Sequence, residues 1–116
     1  MSPISKAKAA YTRRKNALIR LLDPGPTLLH DQSVGRLKLE QARERCNVAW
    51  DEFKAAHEVL ADAQSEDEAQ ALDAEEREHE FGNLEARYHN LVDSLAETVA
   101  SRDGDQLQQE KQAETE

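Results

Sequence analysis

Among the side chains in this 116-residue chain, those that invite a metal-binding or catalytic reading are His57, His79, His89 and the lone Cys46. Glu76-x-x-His79 has the spacing used in carboxylate-bridged di-iron bundles, but such a centre needs a second Glu-x-x-His and further inward-facing Glu. No second copy occurs in the sequence, so these histidines read as polar residues on solvated helix faces. Cys46 falls on an apolar stripe, where a thiol packs as a small hydrophobe; Arg43 and Arg45 are near it, but no cleft or oxyanion site is implied. Glycine-rich phosphate loops, nucleophile elbows and Cys-x-x-Cys pairs are absent from the sequence. The expectation is a protein with no catalytic, cofactor-binding or metal-binding residues and no small-molecule substrate.

Charge offers a more definite surface. Residues 1–22 carry Lys6, Lys8, Arg13, Arg14, Lys15 and Arg20 and no acid, for a charge of +6, while residues 23–116 hold all 24 acids and nine bases, for −15. On a helix, these six cations form a basic contact patch suited to nucleic-acid phosphates or anionic lipid headgroups. The alternative is that the cationic helix lies against acidic helices of its own chain, its long side chains covering the seam. Residues 61–80 hold nine acids against Arg77 alone. That run is either a docking site for a basic partner or a solvated face.

The elements that position these residues are helical. Ala, Glu, Leu, Gln and Arg dominate, with four Gly and three Pro, and strand-forming residues are scarce. An all-α fold follows, with one domain over residues 1–101. Helix 1 is expected over about 3–22, with Ser2 as cap and Pro3 in the first turn, and Ile4, Ala7, Tyr11, Leu18 and Leu21 on one stripe. "DPGP" at 23–26 stops it, and "TLLHDQSVG" is a connector or a short extra turn. Helix 2, about 32–64, fits heptads with Leu39, Cys46, Phe53 and Leu60 at one core position and Ala42, Ala49, Ala56 and Ala63 at the other. Asp31 or Ser33 would cap it. Helix 3, about 66–101, starts from a capping box at Ser65 and Glu68 and carries Phe81, Leu84, Tyr88, Leu91, Leu95 and Val99. "RDGD" at 102–105 should end it, leaving 102–116 as a disordered acidic tail.

The architecture these elements imply is an antiparallel three-helix bundle in which the long helix 2–helix 3 hairpin extends past a shorter helix 1. One continuous helix through 32–101 would satisfy propensity almost as well; folding back at residue 65 would instead set Trp50 against Phe81, Cys46 against Leu84, Ala42 against Tyr88 and Leu39 against Leu91. A tight return at "DPGP" would place helix 1 over residues 34–53 and 81–101, so that 61–80 project as a thin acidic arm. In "AWDEFKAAHEVL", Trp50 and Phe53 would then close the core against Phe81 and Ile4. His57 would fall just outside the core, and its loss would be nearly silent.

The order of features, "RRKNALIRLL", then "AWDEFKAAHEVL", then "HEFGNLEARYHNLVDSL", resembles the helical N-terminal region of Gag-like polyproteins of Pao/Bel-type LTR retrotransposons. The matching residues are Trp50, Phe53 and His57 on one helix and Phe81 and Tyr88 on the next, within residues 8–100. The chain has no Asp-Thr-Gly, Cys/His knuckle or polymerase motif. The resemblance implies a structural role in particle assembly with no catalytic residue. From the residues alone the partners are a protein or a second copy in a homo-oligomer, or nucleic acid or an anionic membrane through helix 1. A single cysteine and no apolar leader or span point to an intracellular, cytoplasmic protein.

Overall fold

The structure, a computed structural model, describes residues 3–114, with side chains over 3–101. It is an all-α bundle: α1 (Pro3–Leu22), α2 (Gly25–His30), α3 (Arg36–Ser65), a 3-10 turn at Glu68–Gln70, and α4 (Ala71–Glu114). α1 ends where Pro24 and Pro26 make continuation impossible, and the same prolines, fixed at helical φ, start α2 close by. The connector is thus a helix of its own. α3 begins at Arg36 rather than 32, because Asp31 accepts from the Ser33 amide and closes a local turn instead of capping the next helix.

The hairpin turns over 66–70. Asp67, not Ser65, caps the turn by accepting from the Ala69 amide, while the Ser65 hydroxyl donates back to the Asp62 carbonyl. This moves the register a few residues from the expected one. Trp50 does meet Phe81, at 5.2 Å between ring centroids, but Tyr88 stacks on Trp50 at 4.8 Å and donates to Asn47 instead of facing Ala42. At its other end α4 continues through Gly104 to Glu114, where the sequence predicts a stop at 102–105 and a disordered tail. One glycine costs a helix only about 1 kcal/mol, and no proline enforces an end. Residues 115 and 116 of that tail lie outside the described residues, as does Ser2, the cap expected for α1. At 1.5 Å per residue α4 is about 66 Å long against about 45 Å for α3, which accounts for the 72 Å length of a molecule only 22 by 18 Å across.

The position of α1 is the main departure. Tyr11 lies on Phe53, at 5.2 Å between centroids, and Arg14 pairs with Glu52. α1 therefore runs antiparallel to α3 with its first turns near the hairpin turn, and Lys8 reaches Asp73 of α4. No bare acidic arm exists at 61–80. The cause is α2: Leu28, Leu29 and the buried Val34 pack onto the core, so the chain spends residues 23–35 covering the base of the hairpin and α1 starts its return further up. Gly25 makes this possible. A Cβ there would stand 2.5 Å from Leu91 Cδ1, so any larger residue would force the Leu91 side chain to move.

The core is one cluster through all four helices. Leu39, Cys46, Phe53 and Leu60 are buried as the heptads predict, as are Leu84, Tyr88, Leu91 and Leu95 of α4. On α1 the buried residues are Ala7, Tyr11, Leu18 and Leu22, with Leu21 packed at the edge, while Ile4, expected in the core, is half-buried and outside the cluster. Among the described residues no helix is long and apolar enough to cross a membrane.

Candidate functional site

The aromatic run on α3 is structural. Trp50 contacts Phe53, Phe81, Tyr88 and His89 at centroid distances of 4.8 to 6.2 Å. Phe53 has no exposed surface. The four aromatics singled out from sequence, Trp50, Phe53, Phe81 and Tyr88, come together as the packing between α3 and α4, with Tyr11 of α1 completing the set.

His57 belongs to this packing, against expectation. Its ring stacks on Phe81 at 3.8 Å between centroids, and Tyr11 lies 6.4 Å away. Arg77 Nη1 sits 3.1 Å from both imidazole nitrogens. Burial, then the Arg77 charge, pull the His57 pKa below its usual 6.5, so the imidazole is neutral and able to accept from the guanidinium. The ring is half-exposed, as expected at the border of the core, but α1 does not run out before it: Tyr11 lies beside it.

Arg77 is what sequence reading missed. As the one base among nine acids it reads as solvated, yet it is only 7% exposed. Its Nε donates to Gln64 Oε1 at 2.7 Å, Gln64 being itself 4% exposed, while Nη2 reaches the exposed Glu78 at 3.4 Å. Beside it the Tyr11 hydroxyl donates to Glu80 Oε1 at 2.8 Å, and Lys15 approaches Glu80 Oε2 at 3.3 Å. Burial and the Glu80 carboxylate hold the Tyr11 phenol far above its usual range, so it remains a donor at any working pH. A weak sequence signal for Arg77 exists: it sits four residues before Phe81 and seven before Leu84, on the apolar stripe continued toward the turn.

The six-residue basic patch is divided. Lys8 pairs with Asp73, Arg14 with Glu52 and Lys15 with Glu80, as the reading of a cationic helix laid against acidic neighbours anticipates. Exposed pairs of this kind contribute only about 0–1 kcal/mol, and they orient α1 more than they stabilise it. Lys6, Arg13 and Arg20 are exposed and make no ion pair among the described residues. At seven-residue spacing they lie along the outer side of α1. Between them the surface is low, lined by Ala9, Thr12, Asn16 and Ala17.

α3 has a matching outer ridge. Leu37, Val48 and Val59 are 67%, 54% and 60% exposed, and their 11-residue spacing keeps them nearly in line on a straight helix. Val48 also borders a groove shared with Leu21 of α1 and Ala49. Glu76 and His79 are both exposed, and among the described residues no three His, Cys, Asp or Glu side chains converge to hold an ion. Cys46 is buried, which pushes its thiol pKa up and disfavours the reactive thiolate. No family model, curated protein or solved structure matches the chain.

Proposed function

We propose that this chain is a non-enzymatic helical module that acts through protein–protein contacts, chiefly with copies of itself. The observation that carries the reading is the line of exposed Leu37, Val48 and Val59 along α3. Three large aliphatic side chains on one line over about 33 Å of helix suit burial against a second helix, as in coiled-coil association. The resemblance to Gag-like helical regions points to the same class of role, a structural part of an assembly. The residues carrying that resemblance are packed inside this bundle, so they speak to fold and leave contact to the outer surfaces. Sedimentation velocity across a concentration series tests the proposal: mass should rise with concentration, and Val48→Asp should lower it. A strict monomer at about 1 mM, where even contacts of about −4 kcal/mol show, would overturn the reading.

A second reading is favoured by one observation, the outward-facing Lys6, Arg13 and Arg20. It makes α1 an adaptor for nucleic acid or an anionic membrane. With Lys8, Arg14 and Lys15 already paired to acids of the bundle, the free patch is half the size that the sequence suggests. Salt-sensitive binding to single-stranded RNA or anionic vesicles, lost in Arg13→Glu, would support this reading over self-association.

A further inference from the structure

Resting on the self-association reading, the structure assigns the contact: the outer face of α1 in one copy receives the outer ridge of α3 in a second copy. Two ladders carry the assignment. α1 presents Lys6, Arg13 and Arg20 at seven-residue spacing, and α3 presents Glu44, Asp51 and Glu58 at the same spacing. All six are exposed and make no ion pair among the described residues. Each rung is about 10.5 Å from the next, so the ladders match rung for rung, and Arg13 meets Asp51 whether the two helices run parallel or antiparallel.

Within one chain these ladders cannot meet. α1 and α3 are packed through Tyr11 and Phe53, and residues two or five positions away in a helix point to other sides; each ladder faces away from the α1–α3 seam, the α3 ladder lying on the side toward α4, where Asp51 acts on Tyr88 and Glu58 on His57. Shape agrees with charge. Ala9 and Ala17 leave a low strip among the α1 cations, and Leu37 and Val48 stand up beside the α3 acids, so a ridge meets a depression as helix packing requires.

The two surfaces differ, which makes the contact heterologous: each docking leaves an α1 face at one end and an α3 ridge at the other, and the contact can repeat. A single-helix strip about 30 Å long and about 10–15 Å wide buries about 300–450 Å² per copy, well below a standard interface. Each contact is therefore weak, and assembly is sensitive to concentration and salt.

Charge reversal tests this in the full chain. Arg13→Glu spoils α1 and Asp51→Arg spoils α3; both residues are exposed, and circular dichroism should show each variant folded. Wild-type chain should gain mass with concentration at about 50 mM salt and lose about tenfold in affinity at about 500 mM. Each variant alone should stay monomeric, since either reversal sets two like charges against each other at the central rung of the contact. Mixed at equal concentration, the two variants should associate again, because the intact face of each complements the intact face of the other. Wild-type association that neither reversal weakens overturns this contact while self-association stands. Loss in both variants without recovery on mixing also overturns it, and a wild-type chain that is monomeric throughout removes both proposals. Binding of poly-uridine RNA or anionic vesicles by a monomeric wild-type chain, lost in Arg13→Glu, would assign the α1 face to an anionic partner instead.

Discussion

A double-mutant cycle on Arg77 and Gln64 probes the buried polar contact near the hairpin turn. Arg77→Met keeps most of the stem that packs there but removes the Nε donor 2.7 Å from Gln64 Oε1. With Gln64 only 4% exposed, its amide oxygen is left without a partner, at a cost of about 1–3 kcal/mol. Part of that is offset because a guanidinium no longer has to be desolvated, so a net loss of about 2 kcal/mol is expected. Gln64→Met instead removes a hydrogen bond to a buried cation, which is worth about 1.5–3 kcal/mol, while His57 and Glu78 still hold the guanidinium. The double variant replaces both polar groups by apolar ones of similar volume and should lie within about 1 kcal/mol of wild type. The expected coupling is thus about 2.5–5 kcal/mol, far outside the additivity found for independent sites. Equilibrium urea unfolding followed by circular dichroism reads it. In thermal melts each kcal/mol is about 4–8 °C for a domain of this size. If the double variant costs the sum of the two single ones, Arg77 and Gln64 do not act as a pair, and the burial of Arg77 on the α1-covered stretch is refuted.

Three further outcomes are expected. Stability should fall as pH drops: the folded His57 pKa lies below the unfolded value of 6.5, so the unfolded chain takes up the proton first, and the contribution is whole above about 6.5 and declines below it. Urea midpoints measured against pH should lose that part of the slope in His57→Phe, and an unchanged slope would contradict the neutral, Arg77-facing imidazole. Trp50→Ala should cost about 3–5 kcal/mol by lost burial and a residual cavity, and His57→Ala about 1–2 kcal/mol by loss of the Phe81 stack and an acceptor for Arg77; a silent His57→Ala would restore the placement of α1 read from sequence. Gly25→Ala should destabilise by about 1–3 kcal/mol through overpacking against Leu91. Leu91→Val in the same chain should recover part of that loss in the same denaturation assay.

Most of what is local in this protein was legible in its residues. Helix boundaries at Pro3 and Leu22, the buried stripe of Leu39, Cys46, Phe53 and Leu60, and the meeting of Trp50 with Phe81 follow from proline geometry and a repeating apolar pattern. Each depends on a few neighbouring residues, or on the one hairpin that joins two long amphipathic helices. The position of α1 along that hairpin was settled elsewhere. It depends on a thirteen-residue connector that folds its middle as the six-residue α2 against Leu91, on a glycine small enough to allow it, and on the close approach of Gly25 to a residue 66 positions away. Composition around a residue says how it is solvated only if nothing else covers it, and the first turns of α1 do lie beside His57 and Arg77: this is why a histidine expected at the margin and an arginine among acids are packed together. The six cations show the same division. Their charge and helical spacing were in the sequence, but which three meet carboxylates and which three face outward was decided by the rotation of α1 against α3 and α4, a consequence of how the apolar side chains of three helices fit together.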